Sequence, residues 1–84
     1  MNYFQDMKIK DAHKINKLVL GQKFKQLRES RNLTQEEVAS YFNWKKQVIS
    51  DLETGKAFSL EKFLLLGDFF GVSFEDLKEV AVTV

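Results

Sequence analysis

The absence of proline is the feature that most constrains how this chain can fold. Proline interrupts helices and marks turns, and 84 residues with no proline and only four glycines indicate a helical chain. A chain of this length forms one compact domain with a thin core, and an apolar content of 44% is enough to fill that core. We therefore expect a single all-α domain.

Apolar spacing and capping residues divide the chain into five predicted helices. Apolar residues recur at helical intervals in the first helix. Thr34 and Glu37 form a capping box that opens the second helix, and Ser59 caps the fourth. Gly55 and Gly71 can adopt the left-handed conformation that ends a helix. In order, the predicted helices span residues 18–31, 35–42, 45–54 and 60–70, followed by a last turn that ends near Leu77.

The charges are unevenly distributed, although the formal net charge is only +1. Bases outnumber acids up to Asn32, and acids outnumber bases from Leu33 onward. Asymmetry of this kind is a reason to consider a nucleic-acid partner. On charge alone, a solvated surface is an equally good interpretation.

Several function classes are excluded by what the sequence lacks. There is no cysteine and only one histidine, His13, so thiol chemistry and a metal cluster are not expected. There is no Ser-His-Asp set, no glycine-rich phosphate loop and no apolar run long enough for a membrane span. We expect a soluble cytoplasmic protein that is not an enzyme and has no cofactor and no metal.

The second and third predicted helices are short and joined by a tight turn, which is helix-turn-helix geometry. With Ile49 and Leu52 on the buried side, the third helix presents a polar face whose side chains suit DNA base edges. The residues of this face are Gln47, Ser50, Asp51 and Thr54, with Lys46 at its margin. Most surface helices have a polar face, so its pairing with the capped helix before it is what favours DNA binding.

Three segments resemble the Cro and phage-repressor type of helix-turn-helix domain, the XRE-type family. They are Leu33–Ala39, Val48–Lys56 and Phe69–Ser73, and the similarity covers about residues 18–77. The resemblance implies a five-helix, lambda-repressor-like DNA-binding domain. It also implies sequence-specific binding of double-stranded DNA as a homodimer and, most often, transcriptional repression.

The resemblance also implies roles for individual residues. The base-reading positions are Lys46, Gln47 and Asp51, with Ser50 as a secondary candidate, and the phosphate-binding positions are Gln35, Thr54 and Lys56. Arg28 and Glu53 match a partly buried structural ion pair that ties the first helix to the end of the third.

Three residues in the turn depart from the family pattern. Asn43 replaces glycine, which is tolerable because asparagine accepts positive φ. Trp44 replaces a smaller apolar residue, and we interpret it as filling the core. Lys45 stands where a Ser or Thr cap is common, so we expect the third helix to begin at Asn43 or to be capped by water. Lys45 is then a further candidate for phosphate binding.

Outside the family match, residues 1–17 form an N-terminal extension, residues 18–79 the DNA-binding domain and residues 80–84 a tail. The extension is interpreted as an arm around the duplex, a short extra helix or a solvated segment. The tail is β-prone, and we expect it to lack a partner within the chain. Its valines, Val80, Val82 and Val84, are therefore predicted to pair across a two-fold axis, with the last helix completing a dimer interface.

A dimeric transcriptional repressor is the function that the sequence favours. One alternative is an antitoxin of the same fold, which an adjacent toxin reading frame or a co-purifying second chain would indicate. The other is a protein-interaction module, which the absence of salt-dependent binding to duplex DNA would indicate.

Overall fold

The computed structural model describes the backbone of residues 14–83 and the side chains of residues 16–79. This part of the chain folds into five helices and one two-stranded antiparallel sheet, which confirms the predicted five-helix domain. The elements are β1 (Lys14–Ile15), α1 (Lys17–Ser30), α2 (Gln35–Phe42), α3 (Lys46–Glu53), α4 (Leu60–Phe70), α5 (Phe74–Ala81) and β2 (Val82–Thr83).

Side-chain caps fix where most of the helices begin. Asn16 accepts a hydrogen bond from the Val19 amide before α1, and Ser59 accepts one from the Lys62 amide before α4. At α2 the capping box is complete: Thr34 Oγ1 accepts from the Glu37 amide at 3.0 Å, and Glu37 Oε1 accepts from the Thr34 amide at 2.8 Å. These bonds satisfy backbone amides that have no partner inside the helix.

Phe24 of α1 lies at the centre of an apolar core to which all five helices contribute. Its ring stacks on Phe63 of α4 with the centroids 5.4 Å apart, and Phe70 lies 6.1 Å away. The remaining buried apolar residues are Leu20, Val38, Ala39, Ile49, Leu52, Leu66 and Leu77. The inward sides of α2 and α3 are therefore held against α1 and α4.

The C-terminal tail differs from the prediction in two ways. Val80 lies in α5, because no glycine or proline follows Leu77 and the helix continues to Ala81. The expectation that the tail strand lacks a partner within the chain is also wrong: Val82 pairs with Ile15, and Thr83 with Lys14. Since α5 packs on α1, its end carries the chain back beside the residues that precede α1. Val84 and residues 1–13, including His13, lie outside the described residues.

Helix α1 lies against the backbone of α3 at Gly21. A Cβ atom there would collide with the Leu52 carbonyl oxygen and lie 2.8 Å from the Glu53 carbonyl oxygen. Backbone carbonyls cannot rotate away as a side chain can. Gly21 is therefore what allows α3 to lie at this distance from α1.

We predict that Gly21→Ala lowers the free energy of unfolding by about 1–3 kcal/mol, because the two helices must separate to admit the methyl group. In an unconstrained helix the same change would instead stabilise by about 0.5–1 kcal/mol, so the sign is diagnostic. Thermal unfolding measures it, with about 4–8 °C of Tm expected per kcal/mol. Gln22→Ala, at an exposed position of the same helix, is the matched control and should leave Tm nearly unchanged.

Candidate nucleic-acid interface

The turn between α2 and α3 sets the angle between the two helices. Asn43 ends α2 in the left-handed conformation, with φ 63°, as its replacement of glycine predicts. The Trp44 amide then donates to the Ala39 carbonyl at 2.8 Å. The half-buried Trp44 ring stacks on Phe42 with the centroids 4.4 Å apart and packs against the core. The turn is therefore held by backbone hydrogen bonds and by an aromatic contact.

Helix α3 begins at Lys46, one residue after the predicted bound at residue 45. The alternative start at Asn43 is wrong, because Asn43 ends α2. Lys45 precedes the helix in extended conformation, and its side chain makes no capping hydrogen bond. The Lys45 side chain therefore does not cap the backbone amides in the first turn of α3. Lys45 and Lys46 are both exposed beside this end of the helix, where the helix dipole is positive.

The polar side of α3 faces away from the core, opposite the buried Ile49 and Leu52. Lys46 and Gln47 are exposed, whereas Ser50 and Asp51 are half-buried. Gln47 Nε2 donates to Asp51 Oδ1 at 2.8 Å, one helical turn further on. The four predicted base-reading side chains therefore lie on the outward side of one helix, and two of them are bonded to each other.

Two of the predicted phosphate-binding residues, Thr54 and Lys56, come after α3 in the chain. Thr54 is exposed, and its hydroxyl donates to the Ser50 carbonyl at 2.8 Å. Lys56 is exposed in the loop that follows Gly55, whose φ is +78°. Both lie at the carboxyl end of α3, away from Lys45 and Lys46.

The Glu53 carboxylate connects three helices beneath this surface. Arg28 of α1 donates to it twice, from Nε to Oε2 at 2.7 Å and from Nη2 to Oε1 at 3.1 Å. Arg28 Nη1 also donates to the Leu33 carbonyl at 2.7 Å. Gln35, the first residue of α2, donates from Nε2 to Glu53 Oε1 at 2.9 Å. We refer to Arg28, Gln35 and Glu53 as the buried network.

Arg28 and Glu53 are both buried, only 8% and 4% exposed, and within residues 16–79 no buried side-chain nitrogen or oxygen lacks a hydrogen-bond partner. The hydrogen bond and the charge of Glu53 raise the pKa of Arg28 above its ordinary value, against the opposing effect of burial. The guanidinium therefore stays charged at every pH at which the domain would be studied.

Sequence reasoning did not find two of these contacts. The bond between Gln35 and Glu53 joins residues 18 positions apart and depends on how α2 and α3 pack. The bond between Gln47 and Asp51 was accessible, because residues four apart on a helix face each other and Gln with Asp is a favourable pair. The side chains of Val80 and Val82, and the whole of Val84, lie outside the described part of the chain.

Comparison with protein families matches residues 24–77 to the family described as Helix-turn-helix. The match covers well over half of the chain, and the chain belongs to this family, the XRE type of DNA-binding transcription regulators. A search of the curated proteins found no match. Within the described residues, no helix combines the length and apolarity needed to cross a membrane.

We predict that Arg28→Met lowers the free energy of unfolding by about 3–5 kcal/mol, because Glu53 would be left buried without its counter-charge. Urea unfolding followed by far-UV circular dichroism measures the loss. Adding Glu53→Leu should restore part of it, since two apolar side chains are less costly than one unpaired charge.

Glu29→Gln is the matched control for this experiment. The Glu29 carboxylate also lies 3.9 Å from Arg28 Nη2, but its side chain is 56% exposed. Its removal should change stability by less than about 0.5 kcal/mol. A loss for Glu29→Gln equal to that for Arg28→Met would contradict the importance of burial.

Proposed function

We propose that this protein is a sequence-specific double-stranded DNA-binding regulator that acts in the cytoplasm as a homodimeric repressor. The observation that carries the proposal is the two-sided character of α3. Its inner side is fixed by Ile49, Leu52 and the buried network, and its outer side is polar and begins beside two exposed lysines. A rigid helix with a free polar face is what the major groove admits.

In this proposal, residues of α3 read the bases. Lysine donates to guanine, and glutamine pairs with adenine through two hydrogen bonds, which suits Lys46 and Gln47 in the first turn. Ser50 and Asp51, one turn further on, complete the surface that faces the groove. The amino-terminal residues of a recognition helix contact the base edges most directly, which favours Lys46 and Gln47 as the main readers.

Four other residues are proposed to bind phosphates on either side of the groove: Gln35, Lys45, Thr54 and Lys56. Gln35 uses one amide hydrogen for Glu53, so its second hydrogen is available to a phosphate oxygen. Lys45 stands at the uncapped start of α3, where an anion would also meet backbone amides. Thr54 and Lys56 flank the other end of the helix.

Dimerisation is proposed to use apolar residues that the described fold leaves exposed on α4 and α5. Leu60 and Leu64 lie one turn apart on α4, and Phe74 opens α5 with half of its surface exposed. We assign the interface to these residues and not to the tail valines, since the prediction for the valines rested on a tail strand without a partner in the chain and β2 pairs with β1 along one edge. Two copies would then read half-sites about 34 Å apart on one face of the duplex.

The experiment that tests the function is selection of binding sites from random duplexes at a stated salt concentration. We expect a two-fold symmetric preferred site and a complex that contains two protein chains. Equal affinity for every duplex, or no salt-dependent binding at all, would overturn the proposal.

We predict that Gln47→Ala and Lys56→Ala weaken DNA binding in different ways. Gln47→Ala should cost about 1–3 kcal/mol on the selected site and relax the choice of one base pair. Lys56→Ala should weaken selected and random duplexes alike and reduce the salt slope by about 0.9, because one phosphate contact is lost. Titrations on both duplexes at several salt concentrations separate the two effects.

The matched control for Lys56→Ala is Lys78→Ala. Lys78 is exposed on α5 and lies 3.4 Å from Glu75, so its substitution removes the same charge from outside the proposed DNA-binding face. Because its Nζ also lies 5.4 Å from the centroid of the Phe74 ring, sedimentation equilibrium must show the same dimer mass before the two lysine variants are compared. It should leave the salt slope close to that of the parent protein. An equal loss of specific and random binding for Gln47→Ala would contradict base reading by Gln47.

We predict that Leu64→Glu converts the dimer to a monomer, because it places a charge in the proposed apolar interface. Sedimentation equilibrium measures the mass, and circular dichroism checks that the fold persists, as expected for a side chain that is 39% exposed. A chain that ends at Ala81 is the comparison, since it lacks β2 and should stay dimeric. If the truncated chain were monomeric and the Leu64→Glu variant were dimeric, the interface on α4 and α5 would be contradicted. The original prediction of an interface formed by the tail valines would then be supported.

A further inference from the structure

One contact on α3 bears on which base the helix can read. Gln47 Nε2 donates to Asp51 Oδ1 at 2.8 Å, and both residues lie on the outward side of the helix. Gln47 is exposed, whereas Asp51 is half-buried, so Gln47 projects further from the domain. The contact therefore joins a side chain that reaches outward to one that lies closer to the helix.

The chemistry of Asp51 determines how the Gln47 amide is turned. An ionised carboxylate only accepts hydrogen bonds, so the amide nitrogen, and not the amide oxygen, must face it. A glutamine without such a neighbour can rotate its amide by half a turn and exchange the positions of its donor and acceptor. Next to Asp51, the Gln47 amide keeps one orientation.

This orientation leaves the edge that pairs with adenine free. The adenine contact uses the glutamine oxygen as acceptor for N6 and one amide hydrogen as donor to N7. An amide nitrogen carries two hydrogens, and the one on the far side from the oxygen takes no part in that pair. It can be given to Asp51 at the same time.

The location of Asp51 on the helix makes it a poor reader of its own base. It is the sixth residue of α3, whereas Gln47 is the second, and base edges are met mainly by the amino-terminal residues of such a helix. One of its oxygens is already occupied by Gln47. A carboxylate that approached the duplex more closely would also be repelled by the phosphates.

We propose that Asp51 is a positioning residue, which orients the Gln47 amide so that α3 selects adenine at the base pair that Gln47 reads. The inference rests on the proposed DNA-binding function and deepens it. It replaces the base-reading role that the resemblance implies for Asp51 with an action through Gln47.

The test compares base preferences in Asp51→Ala and Gln47→Ala on the duplex selected by the parent protein. Gln47→Ala identifies the base pair that Gln47 reads, where we expect adenine to be preferred over guanine by about 5- to 100-fold. Asp51→Ala should reduce the preference for adenine at that same base pair by about 10-fold, or abolish it if the parent preference is smaller than 10-fold. The preferences at other base pairs should not change. The double variant should lose no more than Gln47→Ala alone.

Asp51→Glu is the conservative variant, because its carboxylate also only accepts and can reach Gln47 from the same position. It should keep most of the preference for adenine. Asp68→Ala removes one exposed carboxylate from α4 and controls for the change in net charge. It should change the affinity for all duplexes by one factor and leave the preference intact.

Three results would overturn the inference. In the first, Asp51→Ala relaxes a different base pair, which would make Asp51 a reader of its own base. In the second, Asp51→Ala leaves every preference unchanged, and in the third, the two substitutions are additive. A parent protein with no preferred duplex would overturn the proposed function itself, and this outcome is seen before any variant is made.

Discussion

The Glu53 carboxylate is the point on which the arrangement of the first three helices depends. Glu53 is the last residue of α3. Its carboxylate accepts two hydrogen bonds from Arg28 on α1 and one from Gln35 at the start of α2. A buried pair of charges adds little net stability compared with apolar residues of the same size, but a mispositioned pair is very costly. Any shift of α3 relative to α1 would break these bonds. The network therefore fixes where the outward face of α3 lies, more than how stable the domain is.

Local signals explain why so much of the fold was predictable from the sequence. The bounds predicted for α2 and α4 coincide with those found, because a Thr34 and Glu37 capping box and the Ser59 and Gly71 pair are complete within a few residues of each end. The end of α5 had no such signal, and its helix continues through Val80. The partner of β2 lies at the opposite end of the described chain, where only the packing of α5 on α1 could bring it.

The candidate site also has some features that local sequence predicts and others that depend on how the helices pack. The outward face of α3 follows from helical periodicity around Ile49 and Leu52, so its composition was readable before the structure was known. The bond from Gln35 to Glu53 was not, since it requires the start of one helix to meet the end of another. The predicted start of α3 near Lys45 is within one residue of the observed start, but the alternative start at Asn43 is wrong, because Asn43 ends the helix before it.

Two carboxylates on α3 would be expected to oppose binding to a polyanion such as DNA. Both of them accept hydrogen bonds from side chains of the domain. Glu53 is buried against Arg28, so its charge is compensated within the domain. Asp51 accepts a hydrogen bond from Gln47 and lies in the half of α3 that is further from Lys45 and Lys46. In the proposed complex with DNA, the end of α3 that would enter the groove first is thus the positive one. With a net charge of only +1, attraction to any duplex should be modest, and contacts with particular bases must then supply a larger share of the affinity.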